Sequence, residues 1–234
     1  MKIRIDHAAL AAALSMLAAP AAAQEMSETV TVSSTRISEE IPHITMIKRA
    51  DFLIARVRVV CDTRDLSQRR EELKATLRNL IRVAAQTPTM SLGLGDEIIG
   101  TLNESNFDVI IVPDKRADTS QASVVINTAL SPADTFDGAT GRIKAFIEKT
   151  PKAGRTEILR EENWDLTITG PEQYRDAIIG RIVADARHTA HLFGQDYTIT
   201  VEGTERRVAW YQRGPLDLAL YIPYRLSIAP EKAR

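Results

Sequence analysis

FLIARVRVVCDTRDLSQRREELKATLRNLIRVAAQ, residues 52–86, changes its hydrophobic period halfway along, and that change decides the fold. In the first part Leu53, Ala55, Val57 and Val59 share one parity while Arg56 and Arg58 take the other, the alternation of a strand with one buried and one wet face. In the second part Leu66, Leu73, Leu77, Leu80, Ile81 and Ala84 recur at helical spacing, with arginines and glutamates between them. Asp62, Thr63 or Asp65 is placed to cap the helix start by accepting backbone N–H bonds. A long amphipathic helix straight after a half-buried strand needs a sheet to lie on. Cys61, at the junction, reads as a buried strand-end residue, because no nearby motif marks it as a nucleophile or ligand.

Upstream, TVTVSSTRISEEI (residues 29–41) alternates and is rich in β-branched residues, a strand or hairpin arm that Pro42 interrupts. Downstream, residues 87–105 hold Gly93 and Gly95 but lack both a third fingerprint glycine and a Gly-Lys-Ser/Thr, so they read as a connection and not a phosphate loop. FDVIIVP (107–113) reads as a short buried strand and QASVVINTAL (121–130) as another. Ser131-Pro132-Ala133-Asp134 has the serine cap, first-turn proline and acid of a helix start, and Phe136, Ala139, Ile143 and Ile147 then share a face. TEILREENWDLTIT (156–169) is a long or bent strand. Gly170-Pro171-Glu172 opens a helix through Tyr174, Ile178, Ile182, Ala186 and Ala190 to a Gly194 cap. YTITVEG (197–203), RRVAWY (206–211) and LDLALYIPYRLSI (216–228) close the chain as strands, Pro223 implying an edge or a bulge. The order β, β, α, β, β, α, β, α, β, β, β predicts an α+β fold, a largely antiparallel sheet covered by long amphipathic helices.

The chain begins MKIRIDHAALAAALSMLAAPAAAQ: a basic start at Lys2 and Arg4, an apolar run, then small residues with an A-x-A pattern ending at Ala23. This is the pattern of a cleavable secretory signal peptide, so residues 1–23 are expected to be removed near Ala23 and the mature protein, residues 24–234, to be periplasmic. The apolar run falls short of the roughly 20 residues a bilayer span needs, and no later run is long enough, so no transmembrane segment is expected in the mature chain. Loss of the leader takes away Lys2, Arg4 and Asp6 and moves the net charge from −1 to −2. A near-neutral chain with no basic block and 5% aromatic residues gives no electrostatic or stacking reason to bind nucleic acid. A single cysteine leaves an exported chain without an internal disulfide, so packing alone must hold it.

Candidate chemistry is sparse. VADARHTAHLFG puts His188 and His191 three apart on one helix, but zinc needs three or four ligands, His43 is a lone loop residue, and no H-E-x-x-H occurs. The structural reading of the pair is two imidazoles near the negative end of a helix. No G-x-S-x-G nucleophile elbow is present. The pairs Glu39-Glu40, Glu71-Glu72 and Glu161-Glu162 read as solvated charge, and Trp164, Trp210, Tyr211, Tyr221 and Tyr224 as packing. No catalytic residue, cofactor site or metal site is assigned.

With the elements placed, three stretches, VTVSSTRISEEIPH (30–43), VRVVCDTRDLSQRREELKATLRNLI (57–81) and WDLTITGPEQYRDAIIGRIVADARHTAHLFGQDYTITVEG (164–203), resemble the SIMPL-domain family of periplasmic oxidative-stress-defence and periplasmic immunogenic proteins. The chain departs from the family pattern at His43, where an aspartate is usual, at the Ser33-Ser34 pivot, which lacks a glycine, and at the added MIKRAD (46–51). The resemblance implies one SIMPL-like α+β domain over residues 24–234 that is not an enzyme, self-associates as a homo-oligomer and is tied to oxidative or envelope stress. The alternative is a periplasmic small-molecule or metal-binding protein using His188 and His191.

Overall fold

The computed structural model describes residues 31–32, 41–95, 98–194 and 197–230. The leader, the Ser33-Ser34 pivot and all of the 29–41 arm except Thr31, Val32 and Ile41 lie outside the described residues. Along the chain the elements are β1 (Thr31–Val32), β2 (Met46–Arg49), β3 (Phe52–Cys61), α1 (Leu66–Ala85), β4 (Met90–Leu94), β5 (Ile98–Thr101), α2 (Phe107–Ile110), β6 (Val112–Pro113), β7 (Ser120–Ala129), α3 (Phe136–Lys149), β8 (Thr156–Thr167), α4 (Arg175–Phe193), β9 (Tyr197–Glu202), β10 (Ala209–Gln212), β11 (Asp217–Tyr221) and β12 (Arg225–Pro230).

β3 is the centre. It pairs antiparallel with β7 on one side and β8 on the other, Cys61 facing Ser120 and Thr156 at one end and Phe52 facing Ala129 and Thr167 at the other. The large sheet continues β7, β4, β5, β1, with β6 also on β7, and every pairing is antiparallel. A three-stranded sheet runs β10, β11, β2, and β9 pairs with β12 alone. The α+β class with antiparallel sheets is therefore what the chain adopts.

The inner parity of β3 (Leu53, Ala55, Val57, Val59, Cys61) and the matching row of β7 (Ala122, Val124, Ile126) are buried. α1 covers them with Leu73, Leu77, Leu80 and Val83, and α3 with Ala139, Ile143 and Phe146, in one contiguous core that also takes in Ile178 and Ile182 of α4 and Trp210 of β10. Each such side chain contributes on the order of 1.5–3 kcal/mol by leaving water. Of the three candidate caps, Asp65 starts α1, accepting from Gln68 N–H at 2.8 Å.

One residue of that helix breaks the apolar rule from inside. Arg69 is buried, and it donates through Nε to Ser120 Oγ at 3.0 Å and through Nη1 to the carbonyls of Thr63 and Asp118 at 2.7 and 2.8 Å. Carbonyl and hydroxyl dipoles thus satisfy a buried guanidinium and tie the start of α1 to the turn before β7.

Several expectations are corrected. Residues 107–113 are not a buried strand: Asn103 caps a short turn by accepting from Ser105 N–H, the chain continues into α2, and only Phe107 and Ile111 are buried while Val109 is 79% exposed. Asp108 on α2 reaches Lys74 and Arg70 of α1, both at 2.9 Å, an arrangement that the alternating apolar letters hide. α3 begins at Phe136 and not at Pro132, because Asp134 folds back to accept from Ser131 N–H at 2.7 Å and Thr135 becomes the cap, accepting from Gly138 N–H. The connection at 87–105 contains the β4–β5 hairpin, with Gly95 at φ 96 supplying the left-handed turn residue. MIKR is a strand of its own, β2. The closing LDLALYIPYRLSI is two strands in different sheets, parted at Pro223. Leu66, counted with the apolar stripe, is 58% exposed.

These burials set a contrast that urea unfolding can read. Leu77→Ala is expected to cost about 2–5 kcal/mol by leaving a cavity under α1, and Leu66→Ala to stay within about 0.5 kcal/mol. Equal costs at the two positions would contradict the helix face described.

Candidate functional site

The sequence pointed to three polar features, and the structure sorts them differently. His188 and His191 are both exposed on α4. Among the described residues no group of three or more His, Cys, Asp or Glu side chains is placed to hold a metal ion. A third histidine is brought to the same helix by the fold: His43 Nε2 lies 3.1 Å from Asp185 Oδ2, and its ring sits 6.5 Å from that of Tyr224. Burial and the charge of Asp185 push the Tyr224 hydroxyl up from its ordinary value, and that hydroxyl has no hydrogen-bond partner among the described residues. This cluster pins the chain before β2 against α4 and the β11–β12 corner. Asp185 is one turn from His188, the one cue in the sequence that this stretch of α4 carries a polar contact.

Cys61 is 1% exposed, and its thiol donates to Glu72 Oε2 at 3.2 Å. Glu72 was grouped with solvated acids, and that reading is corrected. Its carboxylate also accepts from the Thr63 hydroxyl at 2.6 Å, the Gln68 side chain at 3.0 Å and the Arg155 backbone N–H at 3.0 Å. Glu71 alone of that pair is exposed. Gly154, at φ 55, lies so close that a Cβ there would run into the Glu72 carboxyl. The next residue, Arg155, closes the corner by pairing in two-pronged fashion with Asp62 at 2.7 and 2.9 Å. The thiol is thus enclosed in a structural joint between β3, α1 and the start of β8.

The acids that hold these joints share one electrostatic signature. The Thr63 hydroxyl, followed by the Arg155 backbone N–H, holds Glu72 below the usual carboxylate value against the opposing effect of burial. Arg142, followed by the Ser131 backbone, holds Asp134 far below it, through bonds of 2.6 and 2.9 Å.

The remaining feature is a surface. α4 ends in Leu192 and Phe193, 71% and 55% exposed, and Phe193 meets Tyr197 of β9 with ring centroids 5.7 Å apart. β9 and β12 form a two-stranded arm with no third strand on either edge among the described residues. Cross-strand pairs Ile199–Ile228 and Val201–Leu226 are only half-buried. Of the aromatic residues that the sequence marks as packing, Trp210 and Tyr221 are fully buried. No described helix is long and apolar enough to cross a membrane. In comparison with known proteins, no family model, no curated protein and no solved structure matches the chain.

The lowered carboxylates fix how stability depends on pH. A group whose folded value is depressed contributes stability above its unfolded value and loses it as pH falls through the folded one. Denaturant unfolding is therefore expected to show flat stability above the ordinary glutamate value of 4.5 and a decline below it. Glu72→Gln should lower the plateau and shallow that acid limb. An acid limb identical to wild type would contradict the part given to Glu72.

Proposed function

We propose that this chain is an exported, non-enzymatic envelope protein of the periplasm that works by self-association, with the β9–β12 arm and the end of α4 as its contact surface. The observation that carries the reading is the arm itself: two strands whose outer edges no other described strand pairs, set beside exposed Leu192 and Phe193. Unpaired strand edges invite another strand, and adjacent exposed apolar side chains add the hydrophobic drive. The leader pattern at residues 1–23 supports export, and the SIMPL-like order of elements supports assembly and a tie to oxidative or envelope stress. The histidine pair, the alternative basis for function, has only surface positions to offer, so the arm is preferred.

The test removes the apolar end of α4 without touching the core. The double substitution Leu192→Asp and Phe193→Asp, made in residues 24–234, is expected to reduce the sedimenting mass from an assembly to a monomer that keeps the far-ultraviolet circular dichroism of the wild type and melts lower, since dissociation removes the stability that assembly adds. A variant that assembles as wild type does would contradict the arm as the contact.

A further inference from the structure

The two edges of the β9–β12 arm are not alike. β12 carries Pro230 at one end, opposite Tyr197, and the exposed Arg225 at the other, opposite Glu202. A proline in a strand turns the side that lacks an N–H away from its partner, so the outer edge of β12 is short of a donor there and has a ring in its place. Proline and charge are the devices that close a strand edge to further pairing. β9 has neither from Tyr197 to Val201: YTITV is aromatic or β-branched at every position, and its one acid, Glu202, stands at the end. Thr198 and Thr200 are exposed, and no described strand other than β12 pairs with β9.

The register within the arm says which strand suits that edge. Ile199 stands opposite Ile228 and Val201 opposite Leu226 on one face, and Thr200 opposite Ser227 on the other. A second β9, laid antiparallel with Thr200 opposite the partner's Thr200, keeps the faces matched, because residues directly opposed in a sheet lie on the same side. Ile199 then meets the partner's Val201. An unbroken apolar row crosses four strands through Ile228, Ile199, the partner's Val201 and the partner's Leu226, and the two-fold repeats it. On the other face Thr198 meets the partner's Glu202, so no like charges are opposed. An axis at Ile199 instead would set Val201 against the partner's Tyr197 and break one row at the partner's Pro230. A shift of one residue in register would oppose apolar to polar side chains.

We propose that the arm assembles by two-fold pairing of β9 with β9 of a second copy, centred on Thr200, and that the assembly closes at two chains. A two-fold contact uses the same patch on both copies and leaves none over, whereas β9 set on a β12 edge would build a ring or an open fibre. The proposal rests on self-association through the arm and adds its edge, register and stoichiometry.

Single cysteines test it in residues 24–234, with the buried Cys61 left in place. Directly opposed residues of an antiparallel pair have Cα atoms about 5 Å apart, within disulfide range. With diamide as oxidant, Thr200→Cys is expected to form a covalent dimer about tenfold faster than Ser227→Cys on the β12 edge or Thr198→Cys out of register, each keeping the circular dichroism of the wild type. Light scattering of the unmodified chain is expected to give the mass of two chains. Cross-linking at Ser227→Cys or Thr198→Cys as fast as at Thr200→Cys overturns the proposal, and so does a mass beyond two chains. A two-chain mass without cross-linking at Thr200→Cys overturns the β9 pairing and leaves self-association standing, while a monomer at every concentration overturns both.

Discussion

The inner face of β3 is the constraint on which the rest depends. It is the ten-residue strand at the middle of the large sheet, with β7 on one side and β8 on the other, and its row from Leu53 to Cys61 is the floor on which α1 and α3 lie. A shift of one residue in its register would turn Arg56 and Arg58 into that floor and expel five buried side chains, so the register is fixed by burial. The arginines on the opposite parity then find polar cross-strand partners, Arg56 with Asp165 at 3.3 Å and Arg58 with Gln121 at 3.2 Å.

Apolar contact fixes where α1 lies, and polar contact fixes how it is held at its start. Arg69 and Glu72 sit three residues apart near the N-terminal end of the helix and reach in different directions, one to the turn before β7 and the other to the loop before β8. Both are satisfied mainly by uncharged groups, so each holds its geometry through the direction of hydrogen bonds and less through long-range attraction. Replacing either leaves buried donors or acceptors unmatched, which is why this corner reads as architecture despite holding a thiol, a hydroxyl and a carboxylate together.

How much of this the sequence made legible follows from how each element is stabilised. β3, α1, β7, β8 and α4 declare themselves because their burial is periodic and long enough to average out exceptions. The β4–β5 hairpin and β2 were missed because they are short and carry Gly93, Gly95, Lys48 and Arg49 at positions that dilute the alternation. Residues 107–113 misled for the opposite reason: they are apolar enough for a strand, and the turn is set by Asn103 and the pull of Lys74 on Asp108. The Glu72 joint was not legible, since its partners come from residues 61–68 and 155 and only the fold brings them together. His43 could be seen as an isolated histidine, but its pairing with Asp185 spans most of the chain.

The same sorting bears on function. The groups that sequence singles out for chemistry are either enclosed in joints, as Cys61 is, or left on the surface, as His188 and His191 are. The arm, by contrast, has strand edges that no other described strand pairs, and it lies beside the exposed Leu192 and Phe193 at the end of α4. The most direct measurement is the solution mass of residues 24–234 by light scattering coupled to size exclusion, over a range of concentrations with and without zinc. The account predicts a discrete oligomer whose mass does not change with zinc. A monomer at every concentration, or one that assembles only when zinc is added, would contradict it and return the histidines to the centre of the problem.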